Sequence, residues 1–202
     1  MGGPLNAAQH AALATLASLV GADFYLAGGV AVALRLKHRT SRDIDLFTSD
    51  RDPRDLEESL AHIPGVRVTG RAEGTLHIEL NGVSVSLLRY RYPLLGALES
   101  SAEVPVRVAS IEDLVCMKLS AIAGRGARRD FWDLHDMLVA TTLSLAAALD
   151  LFARKYPATD PGHLLRALVY FADADAEPMP KELDGPRWDA IKHDLATWVR
   201  AL

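Results

Sequence analysis

Two aspartates separated by one residue are the clearest candidates for chemistry in this sequence. Asp43 and Asp45 flank Ile44 and precede Leu46 and Phe47, so polar and apolar residues alternate as in a half-buried strand. Carboxylates at positions i and i+2 of a strand project from one face, about 7 Å apart at Cα, and can converge on one cation or bridge two. An edge strand with two solvated acids is the alternative that this pair alone leaves open.

A glycine pair precedes these acids, and thirteen residues separate Gly29 from Asp43. Gly28-Gly29 follows the short apolar run Phe24–Ala27 and precedes an apolar helical pattern, so it closes a strand and opens a helix. A glycine turn lets backbone amides approach an anion, and the helix N-terminus adds partial positive charge. A tight turn without a ligand is the alternative, but the turn and the acids together indicate a site for phosphate and metal.

A lysine interrupts the apolar face of the helix that is predicted to begin at Ser110. Lys118 falls where a side chain should be buried, and an unpaired ammonium there would cost several kcal/mol. Its partner is either a carboxylate such as Asp130 or a phosphate of a bound nucleotide, unless the lysine snorkels at the edge of the face. Arg129 and Asp133, at i and i+4, are expected to form an ordinary surface ion pair.

The elements predicted to position these side chains are a mixed sheet followed by helices. Strands are confined to about residues 24–108, which favours an α/β domain over residues 1–109 and a helical C-terminal region over residues 110–202. In the first helix, Ala7 to Val20, Asn6 and Gln9 are placed as a capping box and Gly21 as the stop. The other predicted elements are a helix from Pro53 to Ala61, a strand from Val104 to Val108, and helices beginning at Ser110, near Ala127, near Ser144, at Asp160-Pro161 and near Gly185.

The pair Asn81-Gly82 predicts a hairpin, because it is the strongest two-residue turn signal between alternating runs. Counting outward from this turn places Glu79 opposite Ser84 and His77 opposite Ser86, with all four side chains on one polar face. The two predicted strands are Thr75–Leu80 and Val83–Tyr90.

The composition limits the class of protein. The 202 residues are 50% hydrophobic, which supports a substantial core, and the single cysteine, Cys116, is expected to belong to that core. No run approaches about 18 uninterrupted apolar residues, and the start lacks the regions of a signal peptide, so we expect a cytoplasmic protein without a membrane partner.

A formal net charge of −4 does not attract nucleic acid to the molecule as a whole. Any contact with a polyanion must therefore come from local basic groups, although such a group is more often a solvated face than a binding site. The sequence contains two groups, which are Arg35, Lys37, Arg39 and Arg42, and then Arg125, Arg128 and Arg129.

Together these motifs resemble the AbiEii/AbiGii toxin-type nucleotidyltransferases of the polymerase β superfamily. The resemblance covers residues 24–135 and implies a polymerase β-like mixed sheet with flanking helices and a helical C-terminal region. It is carried by Leu26–Ala31, Arg39–Phe47, Glu112–Leu114, Lys118, Arg125 and Arg129–Leu134.

The resemblance also implies a reaction, the transfer of NMP from an NTP to a hydroxyl of RNA, such as a tRNA-like acceptor, or of a protein. It implies a toxin with a cognate antitoxin protein as partner. Mg²⁺, in an arrangement of two ions, would be the cofactor. By resemblance, Gly28, Gly29, Arg39, Ser41 and Lys118 would bind the nucleotide, Asp43 and Asp45 would bind the metal, and Asp43, Asp45, Lys118 and Asp130 would be catalytic.

One position departs from the family pattern. Active members of the superfamily usually place a third carboxylate on a neighbouring strand, where this chain has Ser86. His77 and Glu79 are local replacements on the same predicted face, and Arg125 is a further auxiliary candidate.

This departure leaves two alternatives to RNA or protein modification open. The first is a catalytically degenerate member that binds a nucleotide or a partner. The second is nucleotidylation of a small molecule of the antibiotic type, which requires acids such as Glu177, Glu182 and Asp184 beside a cationic substrate.

Overall fold

The structure, a computed structural model, describes residues 3–202. The chain divides into two compact units, of which the first runs to Ser110 and the second is Ile111–Leu202. The first unit is built on six strands. These are β1 (Tyr25–Ala27), β2 (Ile44–Thr48), β3 (Val66–Ala72), β4 (Thr75–Leu80), β5 (Val83–Arg89) and β6 (Arg107–Val108).

The six strands form one mixed sheet in the order β3-β4-β5-β2-β1-β6. The neighbours β1 and β2 are antiparallel, as are β3 and β4 and the hairpin β4 and β5, whereas β2–β5 and β1–β6 are parallel. This arrangement confirms the predicted mixed α/β class. It also places β2 in the interior of the sheet, so the alternative of an edge strand is wrong.

The predicted register of the hairpin is confirmed. Leu80 pairs with Val83, and three pairs further along His77 lies opposite Ser86. The alternate residues of both strands, including Ile78 and Val85, are buried. The polar residues therefore share the other face of the sheet, as the period of two requires.

Three helices accompany the sheet in the first unit. They are α1 (Ala7–Val20), α2 (Gly28–Leu36) and α3 (Glu57–Ala61). Helix α1 has the predicted capping box, in which Asn6 and Gln9 bond reciprocally, and it ends at Gly21 with φ +59°.

Two predicted boundaries in this unit are wrong. The helix expected from Pro53 begins as a 3-10 turn, because the Asp55 N–H donates to the Asp52 carbonyl three residues back. The strand expected over residues 104–108 is limited to β6 (Arg107–Val108), because its partner β1 is only three residues long.

The second unit is helical, as predicted. Its helices are α4 (Ile111–Gly124), α5 (Arg128–Thr141), α6 (Leu145–Lys155), α7 (Pro161–Ala167), α8 (Ala172–Ala176) and α9 (Gly185–Arg200). Ala127, Ser144, Asp160 and Asp184 are the N-cap residues of α5, α6, α7 and α9, so those predicted starts are confirmed to within a residue. The short helix α8 was missed, because its five residues contain no apolar period.

The core of the second unit contains polar as well as apolar side chains. Phe131 packs against Phe171 and Trp188, and Cys116 is fully buried in α4, as expected. Burial raises the pKa of the Cys116 thiol to about 12. Among residues 3–202, no single helix is both long and apolar enough to cross a bilayer, and α5 with α6 meets the length and composition only as a pair bent by 114°.

Candidate functional site

The turn between β1 and α2 lies directly against the second aspartate. Gly28 has φ +68°, and a Cβ atom at this position would overlap with Asp45 Oδ2 and lie 3.1 Å from Asp45 Cγ. Ala27 pairs with Asp45 in the sheet, which fixes this approach. Position 28 therefore requires glycine for two reasons, the left-handed backbone and the space that the carboxylate occupies.

The second glycine of the turn lies against the loop that leads into β2. A Cβ atom at Gly29 would lie 2.6 Å from Ser41 Oγ and 2.9 Å from one terminal nitrogen of Arg39. The structure thus brings together five residues that the sequence assigned to one site. They are Gly28, Gly29, Arg39, Ser41 and Asp45.

A glutamine in α1 holds that loop in place. Gln9 is buried, and its side-chain amide donates to the carbonyls of Ser41 at 2.7 Å and Arg42 at 3.0 Å. Sequence reasoning assigned Gln9 only to the capping box of α1, where it accepts from the Asn6 N–H at 2.9 Å. No local signal connects Gln9 with a loop 32 residues away.

The N-terminus of α2 has the features of an anion site. Its N-cap residue is Ala27, whose methyl side chain cannot accept a hydrogen bond from the first backbone N–H groups of the helix. The nine-residue helix begins at the glycine pair, beside the Ser41 hydroxyl and the Arg39 guanidinium. Amides, a hydroxyl and a guanidinium are all donors that bind phosphate oxygens.

The acidic pair fits a hard divalent cation. Asp43 is exposed immediately before β2, and Asp45 is half-buried within it. Among the described residues, no group of three or more His, Cys, Asp or Glu side chains could hold a metal ion by itself. Mg²⁺ is commonly bound by one or two carboxylates together with substrate phosphates and water, so this donor set suits Mg²⁺ once a triphosphate is present.

The row of side chains that includes Asp45 continues across the sheet. Asp45 pairs with Ser86 on β5, Ser86 with His77 on β4, and His77 with Gly70 on β3. The Ser86 hydroxyl and His77 Nδ1 are 3.1 Å apart, within hydrogen-bond distance. Glu79, the other proposed replacement for a third carboxylate, lies two pairs away from His77 and bonds Arg67 at 3.0 Å.

The second unit contains a buried cluster of charges around the predicted lysine. Lys118 Nζ lies 3.0 Å from Asp130 Oδ1 and 2.7 Å from Asp133 Oδ2, and both aspartate side chains are fully buried. Arg125 donates to Asp130 through Nε at 2.7 Å. The expected surface ion pair between Arg129 and Asp133 is therefore wrong, because Asp133 faces the interior and pairs with Lys118.

The ionisation of Asp130 follows from this cluster. Burial alone would raise the pKa of its carboxyl group. The hydrogen bonds from Arg125 and the positive charges of Lys118 and Arg125 outweigh burial and hold the pKa below its ordinary value. Asp130 is thus a stable carboxylate at neutral pH.

The two predicted groups of basic residues are less available to contact a polyanion than the sequence indicates. Arg35 pairs with Glu99 at 3.1 Å, and Lys37 pairs with Glu103 at 3.5 Å. Arg128 is buried and donates to the Asp175 carbonyl. The acids that neutralise Arg35 and Lys37 come from more than 60 residues further along the chain, so the local sequence gave no sign of them.

Comparison with known protein families identifies the family to which this chain belongs. The family model described as nucleotidyl transferase AbiEii toxin, type IV TA system, matches residues 11–94 and 57–197. The chain belongs to the AbiEii nucleotidyl transferase family. The first AbiEii match contains the glycine turn and the acidic pair, and the second contains Lys118 and Asp130. The family expected from the sequence motifs is confirmed.

A relative of this AbiEii chain is an uncharacterized protein of Aquifex aeolicus (strain VF5). The two are 34% identical over 192 residues, which cover 93% of this chain and 92% of the relative. Because the relative spans the same length, the similarity extends through both units.

Solved structures share the fold of this AbiEii chain. MenT4, a nucleotidyltransferase toxin from Mycobacterium tuberculosis H37Rv, has a TM-score of 0.61 at 18% identity and covers 96% of this chain and 82% of its own. JHP933 from Helicobacter pylori has a TM-score of 0.55 at 18% identity, with 96% and 90% covered. The antibiotic-resistance factor ANT(2'')-Ia has a TM-score of 0.54 at 18% identity, with 70% and 85% covered.

Proposed function

We propose that this chain transfers an NMP group from an NTP to a hydroxyl of RNA, and that it acts as the toxin of a toxin–antitoxin pair. The observation that supports the proposal is the contact of the Gly28 turn with Asp45, which brings a helix start suited to phosphate beside a carboxylate suited to a metal ion. Membership of the AbiEii family supports the same chemistry.

Each residue around the turn has a role in this proposal. The backbone N–H groups at the start of α2 bind the triphosphate, with the Ser41 hydroxyl and the Arg39 guanidinium beside them. Asp43 and Asp45 hold Mg²⁺, which supplies neutralisation of the negative charge on the phosphates and on the departing pyrophosphate. The protein then acts mainly by positioning the reactants and excluding competing ones.

Lys118 and Asp130 are proposed as further members of the catalytic set, on the strength of their match to the family motif. Their mutual ion pair fixes the orientation of both side chains before any ligand binds. A lysine side chain oriented in this way presents a compact ammonium group, which is the kind of donor that binds phosphate.

We propose RNA rather than a small cationic molecule as the acceptor, because acids near α8 and α9 make hydrogen bonds within the protein. Glu177 accepts from the Arg128 N–H at 2.8 Å, and Asp184 caps α9 by accepting from the Arg187 N–H at 2.8 Å. These acids therefore serve the fold rather than an open acidic pocket. Arg42 in the first unit and Arg129 in the second are exposed, and exposed basic side chains are what contact the phosphates of a polyanionic acceptor.

The test is a transfer assay with α-labelled NTPs, Mg²⁺, and either total RNA or total protein as the acceptor. We expect the wild type to label discrete RNA species and Asp43→Ala to lose that label. Asp50→Ala is the matched control, because Asp50 is an exposed aspartate just after the other end of β2. Equal inactivity of the wild type and Asp43→Ala with every acceptor contradicts the proposal, and labelling of protein alone redirects it to a protein hydroxyl.

A second candidate function is nucleotide binding without turnover, and Ser86 is the observation that favours it. A hydroxyl supplies no negative charge where a third carboxylate is usual in the superfamily. Calorimetric titration with NTP and Mg²⁺ beside the transfer assay separates the two functions, since saturable binding without any labelled product identifies a binding protein.

A further inference from the structure

We propose that Ser86 and His77 together accept the proton of the attacking hydroxyl during transfer. This inference rests on the proposed function and concerns the same site. It assigns the role of proton relay to the Ser86 hydroxyl and the role of final proton acceptor to His77.

The first support is the position of Ser86 relative to Asp45. The two residues are register partners on the neighbouring parallel strands β5 and β2. Adjacent strands lie about 4.8 Å apart, and side chains of paired residues leave the sheet on the same side. The Ser86 hydroxyl therefore stands beside the carboxylate that the proposed function assigns to the metal, on the same polar face.

The second support is the way in which His77 is held. Its Nδ1 lies 3.1 Å from Ser86 Oγ, and its register partner on β3 is Gly70. A Cβ atom at Gly70 would lie 3.2 Å from His77 Cδ2, which is closer than most real contacts. The absence of a side chain at position 70 thus leaves room for the imidazole whose Nδ1 reaches Ser86.

The third support is the exclusion of the other candidate base. Glu79 forms an ion pair with Arg67 and lies opposite Ser84, two pairs away from Ser86. Charged groups lie on both sides of Ser86 and His77 on this face of the sheet. Asp43 and Asp45 lie on the side of β2, and Glu79 and Arg67 lie on the side of β4 and β3. His77 lies between these groups and is the titratable side chain that contacts Ser86.

The proton transfer balances with the groups that are present. As the acceptor oxygen forms its bond to the α-phosphorus, the bond from that phosphorus to the bridging oxygen of pyrophosphate breaks, and the electron pair leaves with pyrophosphate. The acceptor O–H gives its proton to Ser86 Oγ, and Ser86 gives its own proton to His77 Nδ1. This requires the neutral His77 tautomer that carries its proton on Nε2.

The experiment measures the rate of NMP transfer against pH for the full-length wild type, His77→Gln, Ser86→Ala, Ser86→Asp and the double variant of Ser86→Asp with His77→Gln. We expect His77→Gln and Ser86→Ala each to lower the rate about 100-fold or more, the usual contribution of a general base. The pH profile of the rate should differ between the wild type and His77→Gln, because only the wild type has the imidazole that accepts the proton. Ser84→Ala and His10→Gln are matched controls, because both side chains are exposed in the same unit.

The double variant separates proton transfer from a structural role. Ser86→Asp places a carboxylate at the usual position of the superfamily, so adding His77→Gln to it should change the rate by less than about twofold. A structural role for His77 predicts the same loss in both backgrounds.

An active wild type whose rate and pH profile are unchanged in His77→Gln overturns this inference and leaves the proposed function standing. A wild type that transfers no label to any acceptor overturns both.

Discussion

The Asp45 carboxylate occupies the space that a side chain at position 28 would need. The contact joins the end of β1 to the middle of β2, and the pairing of Ala27 with Asp45 fixes it. The turn that we propose to bind phosphate and the carboxylate that we propose to bind metal are therefore in contact within one sheet.

Gly28→Ala should lose both stability and NTP binding. A left-handed backbone costs about 1–2 kcal/mol for a residue with a Cβ atom, and here the new methyl group must also displace Asp45. Gly21→Ala is the matched control, since φ at Gly21 is +59° and no atom lies within 4 Å of the added Cβ. Thermal unfolding should show a loss in both variants, and calorimetry should show weakened NTP binding only in Gly28→Ala.

Gln9→Ala should loosen the loop before the acidic pair. The change removes the hydrogen bonds to the carbonyls of Ser41 and Arg42, besides half of the capping box. Asn6→Ala disrupts the capping box alone, so both variants should lose about 1 kcal/mol of stability from the cap. Only Gln9→Ala should also lower NTP affinity, and equal affinities in the two variants would show that the loop does not depend on Gln9.

Lys118→Met tests whether the buried cluster serves more than the fold. It leaves Asp133 buried without its lysine partner, and breaking such a pair costs about 3–5 kcal/mol. Lys155→Met is the matched control, because Lys155 is also fully buried and bonds Asp113 at 2.6 Å.

Urea unfolding should show comparable losses of stability in these two lysine variants. In transfer assays at a temperature where both are folded, Lys118→Met should be inactive and Lys155→Met active. Retained transfer in Lys118→Met would remove Lys118 from the catalytic set.

The helical unit should lose stability as the pH rises through the range where His135 loses its proton. Burial alone would lower the pKa of His135, but hydrogen bonds to Asp136 at 2.9 Å and Asp194 at 3.0 Å outweigh burial and raise it above 6.5. A raised pKa contributes stability that is full below the ordinary value and is lost as the pH rises through the folded-state value.

The measurement is urea unfolding between pH 6 and pH 9 for the wild type, His135→Gln and His193→Gln. His193 is exposed on α9, so His193→Gln should keep the wild-type dependence on pH. The stability of His135→Gln should change less with pH over this range. An equal slope in all three proteins would assign the dependence to other groups.

Much of the local structure could be predicted from the sequence because its signals are short-range. The turn at Asn81-Gly82 determined the register of β4 and β5, and so the pairing of His77 with Ser86. The glycine pair and the alternation around Asp45 located β1, α2 and β2. Helix starts followed from N-cap residues such as Ser144 and Asp160.

The rest depends on contacts between distant parts of the chain. The parallel pairing of β2 with β5 brings Ser86 beside Asp45, and no turn connects those strands directly. Likewise, the bonds from Gln9 to the loop at Ser41 join residues 32 apart. The burial of Asp133 depends on how α4 and α5 pack, so the i+4 spacing from Arg129 pointed to the wrong partner.

The most direct test of the central claim is calorimetric titration of the wild type with each NTP, with and without Mg²⁺. We expect saturable NTP binding that requires Mg²⁺. The affinity for NTP should fall about tenfold or more in Asp45→Asn and stay unchanged in the control Asp50→Asn. Absence of NTP binding by the wild type, or equal affinity in Asp45→Asn, would contradict the central claim.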